Sequence, residues 1–143
     1  MNEDTRKLLE ECNSGCKMAL GSMKQVKEYI QDEKLKKIVE SYKQKHEQLE
    51  IESSNLLKGA GNSEKEPGVM ASMFSWFTTE MKLMIEDDGH QIAKLMMDGC
   101  NMGIQSISEY QNKYKEASKE ATELAKKLVK TEENFMQEMK QFL

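Results

Sequence analysis

Residues 35–57 read LKKIVESYKQKHEQLEIESSNLL, and the fold of the chain turns on them. Leu35, Ile38, Val39, Tyr42, His46, Leu49, Ser53, Leu56 and Leu57 recur three and four positions apart, the period of a helix with one inward face. Asp32, just upstream, is placed to cap that helix. Preceding it, Leu8, Leu9, Cys12, Cys16, Ala19, Met23, Val26 and Ile30 repeat the same period, so a first helix is expected from residue 4 or 5 to residue 30, with acids in its first turn. The two helices should form an antiparallel hairpin. Downstream, the run KGAGNSEKEPG at residues 58–68 gathers residues that stop helices and reads as the one evident loop.

Composition agrees with a helical reading. The 143 residues fit one domain, spanning 1–143, and contain a single proline, eight glycines and 32% charged residues. A β-sandwich or barrel needs more turn formers and more β-branched and aromatic residues than this. A mean hydropathy of -0.75 would permit disorder, but the apolar residues fall on helical faces and can build a core.

The second half carries three further patterns. Met70, Met73, Phe74, Phe77, Met81, Met84 and Ile85 form one face, flanked by Trp76, Glu80 and Leu83. Unbroken to Tyr110, this helix would run ~60 Å against partners of ~40 Å, so a break is expected within residues 86–90, where Asp88 and Gln91 have the form of a capping box. The next face is Ile92, Leu95, Met96, Gly99, Cys100, Gly103, Ile107 and Tyr110. A last helix, expected over 115–141, presents Ala117, Ala121, Leu124, Ala125, Leu128, Phe135, Met139 and Phe142, with Glu132 inside the stripe. The 58–68 loop is too short both to turn and to span a bundle, so the 70–85 helix should make that traverse. The expected architecture is an all-α four-helix bundle with an additional short crossover helix.

Charge and processing signals narrow the partners. The 25 acids and 21 bases are interspersed and sum to -4, leaving no basic stripe for a phosphate backbone, so no nucleic acid is expected. The N-terminus lacks a basic segment followed by an apolar one. The longest uncharged run, residues 67–79, is 13 residues, short of the ~18 to 20 that span a bilayer. Adsorption of the 70–85 segment to a membrane surface is disfavoured because only Lys82 supplies positive charge there, and packing on the bundle or across a dimer is expected instead. Three cysteines at helical spacing suit reduced thiols and a cytoplasmic location. Glu33 with Lys37, and Glu123 with Lys127, have the order that supports solvated helix faces.

Motifs for chemistry are scarce. No phosphate-binding glycine loop, paired CxxC, HExxH or nucleophile elbow is present. The 12 methionines fall on apolar faces and read as core. Cys12 and Cys16 lie one turn apart, and with Cys100 and His46 they could form a soft site for zinc or copper; buried, reduced cysteines would show the same spacing. Gly15, Cys16 and Ala19 on one helix, and Gly99, Cys100 and Gly103 on another, would let two axes approach closely, so Gly99 and Gly103 are expected against residues 15–19.

A bundle with a crossover and Glu-x-x-His motifs on its second and fourth main helices is the ferritin-like plan. Lys43-Gln44-Lys45-His46 resembles the first such stretch and Glu132-Glu133-Asn134-Phe135 the second, with Lys43 in place of a carboxylate and Phe135 in place of an imidazole. The chain is in this sense similar to small bacterial ferritin-like domains of unknown function. Such a resemblance implies oxidation or storage chemistry at a carboxylate-bridged metal pair, iron included, with His46, Glu132, Cys12 or Cys16, and Cys100 standing where ligands would stand. That chemistry needs several hard carboxylates, and here most are replaced. The expected protein is therefore a non-enzymatic bundle with a degenerate metal site and no catalytic residues or cofactor, acting through a homodimer or another protein. The alternative is a metal-handling bundle built on Cys12, Cys16, Cys100 and His46, or on a residual di-metal site. In the absence of metal, Lys43, His46 and Glu132 should form a buried polar group, with Glu132 bonded to Lys43 or His46.

Overall fold

A computed structural model of the chain describes residues 1–61 and 89–143. Those residues form four long helices, α1 (Glu3–Val26), α2 (Glu33–Gly59), α3 (Gly89–Lys113) and α4 (Lys119–Met139). Short 3-10 turns at Lys27–Tyr29 and Lys140–Phe142 finish α1 and α4, so both helices stop a few residues before their apolar stripes end. The 70–85 crossover helix, its Trp76 and the Asp88 cap lie outside the described residues, and the expected break at 86–90 falls at their edge.

Caps fix the helix starts. The side chains of Asn2, Asp32 and Ser118 accept hydrogen bonds from the backbone N–H of Thr5, Leu35 and Ala121, each satisfying a donor that the first turn leaves open. Ser118 rather than residue 115 therefore begins the last helix, and Ala117 stays in the preceding turn.

Contacts between helices give their directions. Asn2 Nδ2 donates to the Glu116 carbonyl at 2.7 Å and the Ser118 N–H donates to Thr5 Oγ1 at 2.8 Å, so α1 and α4 begin at the same end. Along α2, Tyr42 stacks on Phe135, His46 meets Glu132 and Glu52 meets Lys127, so α2 and α4 are antiparallel. A Cβ placed on Gly89 would touch Leu35 at 3.7 Å, and one placed on Gly15 would touch Ile107 at 3.8 Å; α3 therefore runs with α2 and against α1. The order is up, down, down, up. Consequently Gly59 and Gly89 sit at opposite ends of the bundle, and an up-down-up-down chain is excluded.

The core is divided in two. Toward one end Met23, Val26, Leu35, Val39, Tyr42, Ile92, Met96, Cys100, Phe135 and Met139 pack together. Toward the other, Leu8, Leu9, Cys12, Cys16, Leu49, Leu57, Ile107, Leu124 and Leu128 do so. Between them lies a polar layer: His46 falls between Tyr42 and Leu49, Glu132 between Leu128 and Phe135, and Gly103 between Cys100 and Ile107.

The expected close approach of Gly99 and Gly103 to α1 is not what the helices do. A Cβ on Gly99 would meet nothing within 4 Å, and one on Gly103 would meet the Glu132 side chain. Gly15 packs instead against Ile107 and Leu128. Gly103 thus serves the polar layer, while Gly99 faces open space and neither glycine marks a close approach to α1. Of the surface pairs, Glu123 meets Lys119 and Lys127 reaches across to Glu52, because α2 brings a carboxylate beside α4.

Candidate functional site

The centre of the bundle is built by side chains that interrupt apolar stripes. His46 is fully buried and Glu132 is 6% exposed. His46 Nδ1 lies 2.6 Å from the Tyr42 carbonyl one turn earlier on α2, and Nε2 meets Glu132 Oε1 from α4. A carbonyl only accepts, so Nδ1 carries a hydrogen and donates to it. Against an ionised Glu132, which only accepts, Nε2 donates as well. The ring is held between two acceptors, an arrangement that suits imidazolium.

Electrostatics agrees with the hydrogen bonding. Burial pulls the His46 pKa down, but the hydrogen bond and charge of Glu132, aided by the Tyr42 carbonyl, outweigh it and leave it above 6.5. From α3 the Cys100 thiol is hydrogen-bonded to Glu132, and burial first, then the charge of Glu132 and that bond, raise its pKa far above the ordinary range. From α1, Cys16 is raised by burial, then by Cys12, Glu132 and Glu50. Cys12 is pushed up to about 12 by burial and then by Glu11.

Lys43 does not join this group. Its ammonium lies 3.6 Å from Glu47 and 3.9 Å from Glu40 on the flank of α2, and its side chain is about one-third exposed. The reason is angular: Lys43 is three residues before His46 and one after Tyr42, so it points beside the stripe, where a four-carbon stem reaches water. Of the expected trio, Glu132 and His46 pair and Lys43 stays outside.

The thiols do not assemble with His46 as a soft site. Cys12 and Cys16 belong to one core cluster and Cys100 to the other. Among the described residues no three His, Cys, Asp or Glu side chains are grouped so as to hold a metal ion. A thiol ligates as the thiolate, and here all three are held as thiols by their surroundings. The imidazole and carboxylate are each other's partners. What remains is a hydrogen-bonded chain, from the Cys100 thiol to Glu132, and from His46 to both Glu132 and the Tyr42 carbonyl.

A second polar cluster joins α1 to α2 and carries little signal in the stripe pattern. Asn13, fully buried, donates through Nδ2 to Ser54 Oγ at 2.9 Å, Ser53 Oγ at 3.0 Å and the Glu50 carbonyl at 3.3 Å. Ser53 falls in the apolar stripe of α2, which is the one hint of it in the sequence. Cys100 as a donor to Glu132, and the Tyr42 carbonyl as the second acceptor of His46, were also not readable in advance.

Comparison of the chain with protein-family models, with curated proteins and with solved structures gives no significant match. Among the described residues no helix is long and apolar enough to cross a membrane.

Proposed function

We propose that this chain is a non-enzymatic bundle of ferritin-like plan that works through contacts with other proteins, in its simplest form with a second copy of itself in the cytoplasm. The observation that carries the reading is the state of His46. Both of its ring nitrogens are committed, to the Tyr42 carbonyl and to Glu132, so the group best suited to acid-base work or to metal ligation has no free position. The up, down, down, up order, with His46 and Glu132 facing each other at mid-bundle, supports the ferritin-like part of the proposal. An ion pair fills the centre where such bundles bind metals.

Elemental analysis of tag-free protein, combined with sedimentation velocity at micromolar concentration, tests this reading. The expected result is substoichiometric metal and a dimer. A stoichiometric transition metal would replace the reading with metal handling, and a monomer at all concentrations would remove self-association from it.

A further inference from the structure

We propose that the polar layer is a proton-held latch: the bundle keeps one extra proton between His46 and Glu132, and loss of that proton is what loosens the seam between α2 and α4. The inference goes beyond the functional reading above and shares one premise with it, that His46 and Glu132 partner each other and not a metal ion. It rests on the position of one ring between two acceptors, in a layer with apolar clusters on either side.

Three donated hydrogens hold the layer in its neutral-pH form: Nδ1–H to the Tyr42 carbonyl, Nε2–H to Glu132, and the Cys100 thiol to Glu132. When the ring loses a proton, neutral imidazole has only one N–H left. If Nδ1 keeps it, the Nε2 lone pair faces a carboxylate oxygen; if Nε2 keeps it, the Tyr42 carbonyl confronts a lone pair. In both cases a buried carboxylate has lost its cation and is left with neutral donors. A buried charge stripped of its partner is strongly destabilising, so the side chains must separate or admit water.

Among the described residues, the groups around the ring offer no replacement cation. α4 presents Glu132, α3 presents Cys100, and α1 presents Cys16, whose thiol responds to Glu132. On α2 itself Lys43 is engaged with Glu40 and Glu47, and Lys45 lies over the Tyr42 ring, 4.4 Å from its centroid. Loss of the proton therefore leaves net negative charge in the layer. The affected seam is specific, because His46 and Glu132 join α2 to α4 beside the Tyr42–Phe135 stack.

The test follows the ring by nitrogen-15 NMR in the full chain, from about pH 6 to about pH 10. His90 is exposed and serves as an internal reference. The comparison is with Glu132→Gln, whose amide N–H can donate to Nε2 and so satisfies a neutral ring. In the wild type His46 should be doubly protonated at neutral pH. Its deprotonation should coincide with a fall of about tenfold or more in the amide protection factors of α2 and α4, beyond the base-catalysed rise that all amides share. In E132Q the ring should be the Nδ1–H tautomer throughout, with exchange in these helices free of that step. Should E132Q fail to fold, His46→Gln supplies the same comparison, because it removes the titrating ring and should abolish the step. A neutral, single-tautomer His46 in the wild type at neutral pH would overturn the proposal, as would the same exchange step in the variants.

Discussion

Gly103 on α3 lies against Glu132 on α4: a Cβ built on the glycine would stand 3.5 Å from Oε2 and 3.7 Å from the carboxyl carbon. Those are ordinary contact distances, so one methyl fits and a larger side chain does not. Gly103→Ala is expected to hold or raise stability by up to about 1 kcal/mol, since glycine is a poor helix former. Gly103→Leu should lose about 1 to 3 kcal/mol by overpacking the layer. Urea midpoints of the two variants check this, and equal midpoints would mean that the glycine is not shaping the Glu132 site.

The Asn13 cluster makes opposite predictions for two neighbouring residues. Asn13→Ala removes a donor shared among Ser53, Ser54 and the Glu50 carbonyl and should cost about 1 kcal/mol, at the low end because Asn13 Oδ1 is itself buried without a partner. Ser14 Oγ is likewise buried with no hydrogen bond, and alanine is the better helix former. Ser14→Ala should therefore be neutral or stabilising by up to about 1 kcal/mol. Chemical denaturation of both variants decides it, and a destabilised S14A would show that the hydroxyl has a role in the native state.

How much of this was legible follows from what each signal depends on. Helix faces depend on period alone, so the stripes of α1, α2, α3 and α4 could be read, along with the Asp32 cap. Helix direction was legible through length: the 58–68 loop could not both turn and cross, and α2 and α3 are indeed parallel. The pairing of His46 with Glu132 was legible because each interrupts an apolar stripe and a buried charge needs a counter-charge. Lys43 was misplaced because it neighbours the stripe without belonging to it, and a long side chain decides its course by reaching water. The role of Gly103 was missed because a small residue marks a close approach without saying to what. Period placed it beside Cys100 on the inner face, but only the packing of four helices shows that the space it leaves is filled by a carboxylate.

The cysteines should be inert while the fold is intact. Cys12, Cys16 and Cys100 are 0%, 0% and 3% exposed, and burial is the largest cause raising each thiol, so both access and thiolate are lacking. At mildly alkaline pH a thiol reagent is expected to modify none of them at the rate of a free cysteine, and all three together once denaturant unfolds the bundle. Mass spectrometry of a labelling time course reads the result directly. Rapid modification of a single cysteine in native protein would reveal a local opening that the packing does not suggest.

Alkaline behaviour should show a step belonging to Tyr42. Its ring stacks on Phe135 with centroids 4.6 Å apart, and burial first, then its hydrogen bond to Glu138, carry its phenol up to about 12 from 10. The sign follows from linkage: a group whose pKa is raised on folding contributes stability in full below its unfolded value, and that contribution fades as pH climbs from 10 through about 12. His46 obeys the same sign in an earlier window, which opens at its unfolded value of 6.5. The fold should accordingly weaken in two stages as pH rises, the first from the polar layer and the second from the aromatic stack beside it. Tyrosinate absorbance should therefore show a late phase, at about pH 12, that belongs to Tyr42. Tyr42→Phe should delete the late phase and leave the early, His46-dependent loss of stability in place. A folded wild type that shows no such late phase would mean that neither burial nor Glu138 governs Tyr42.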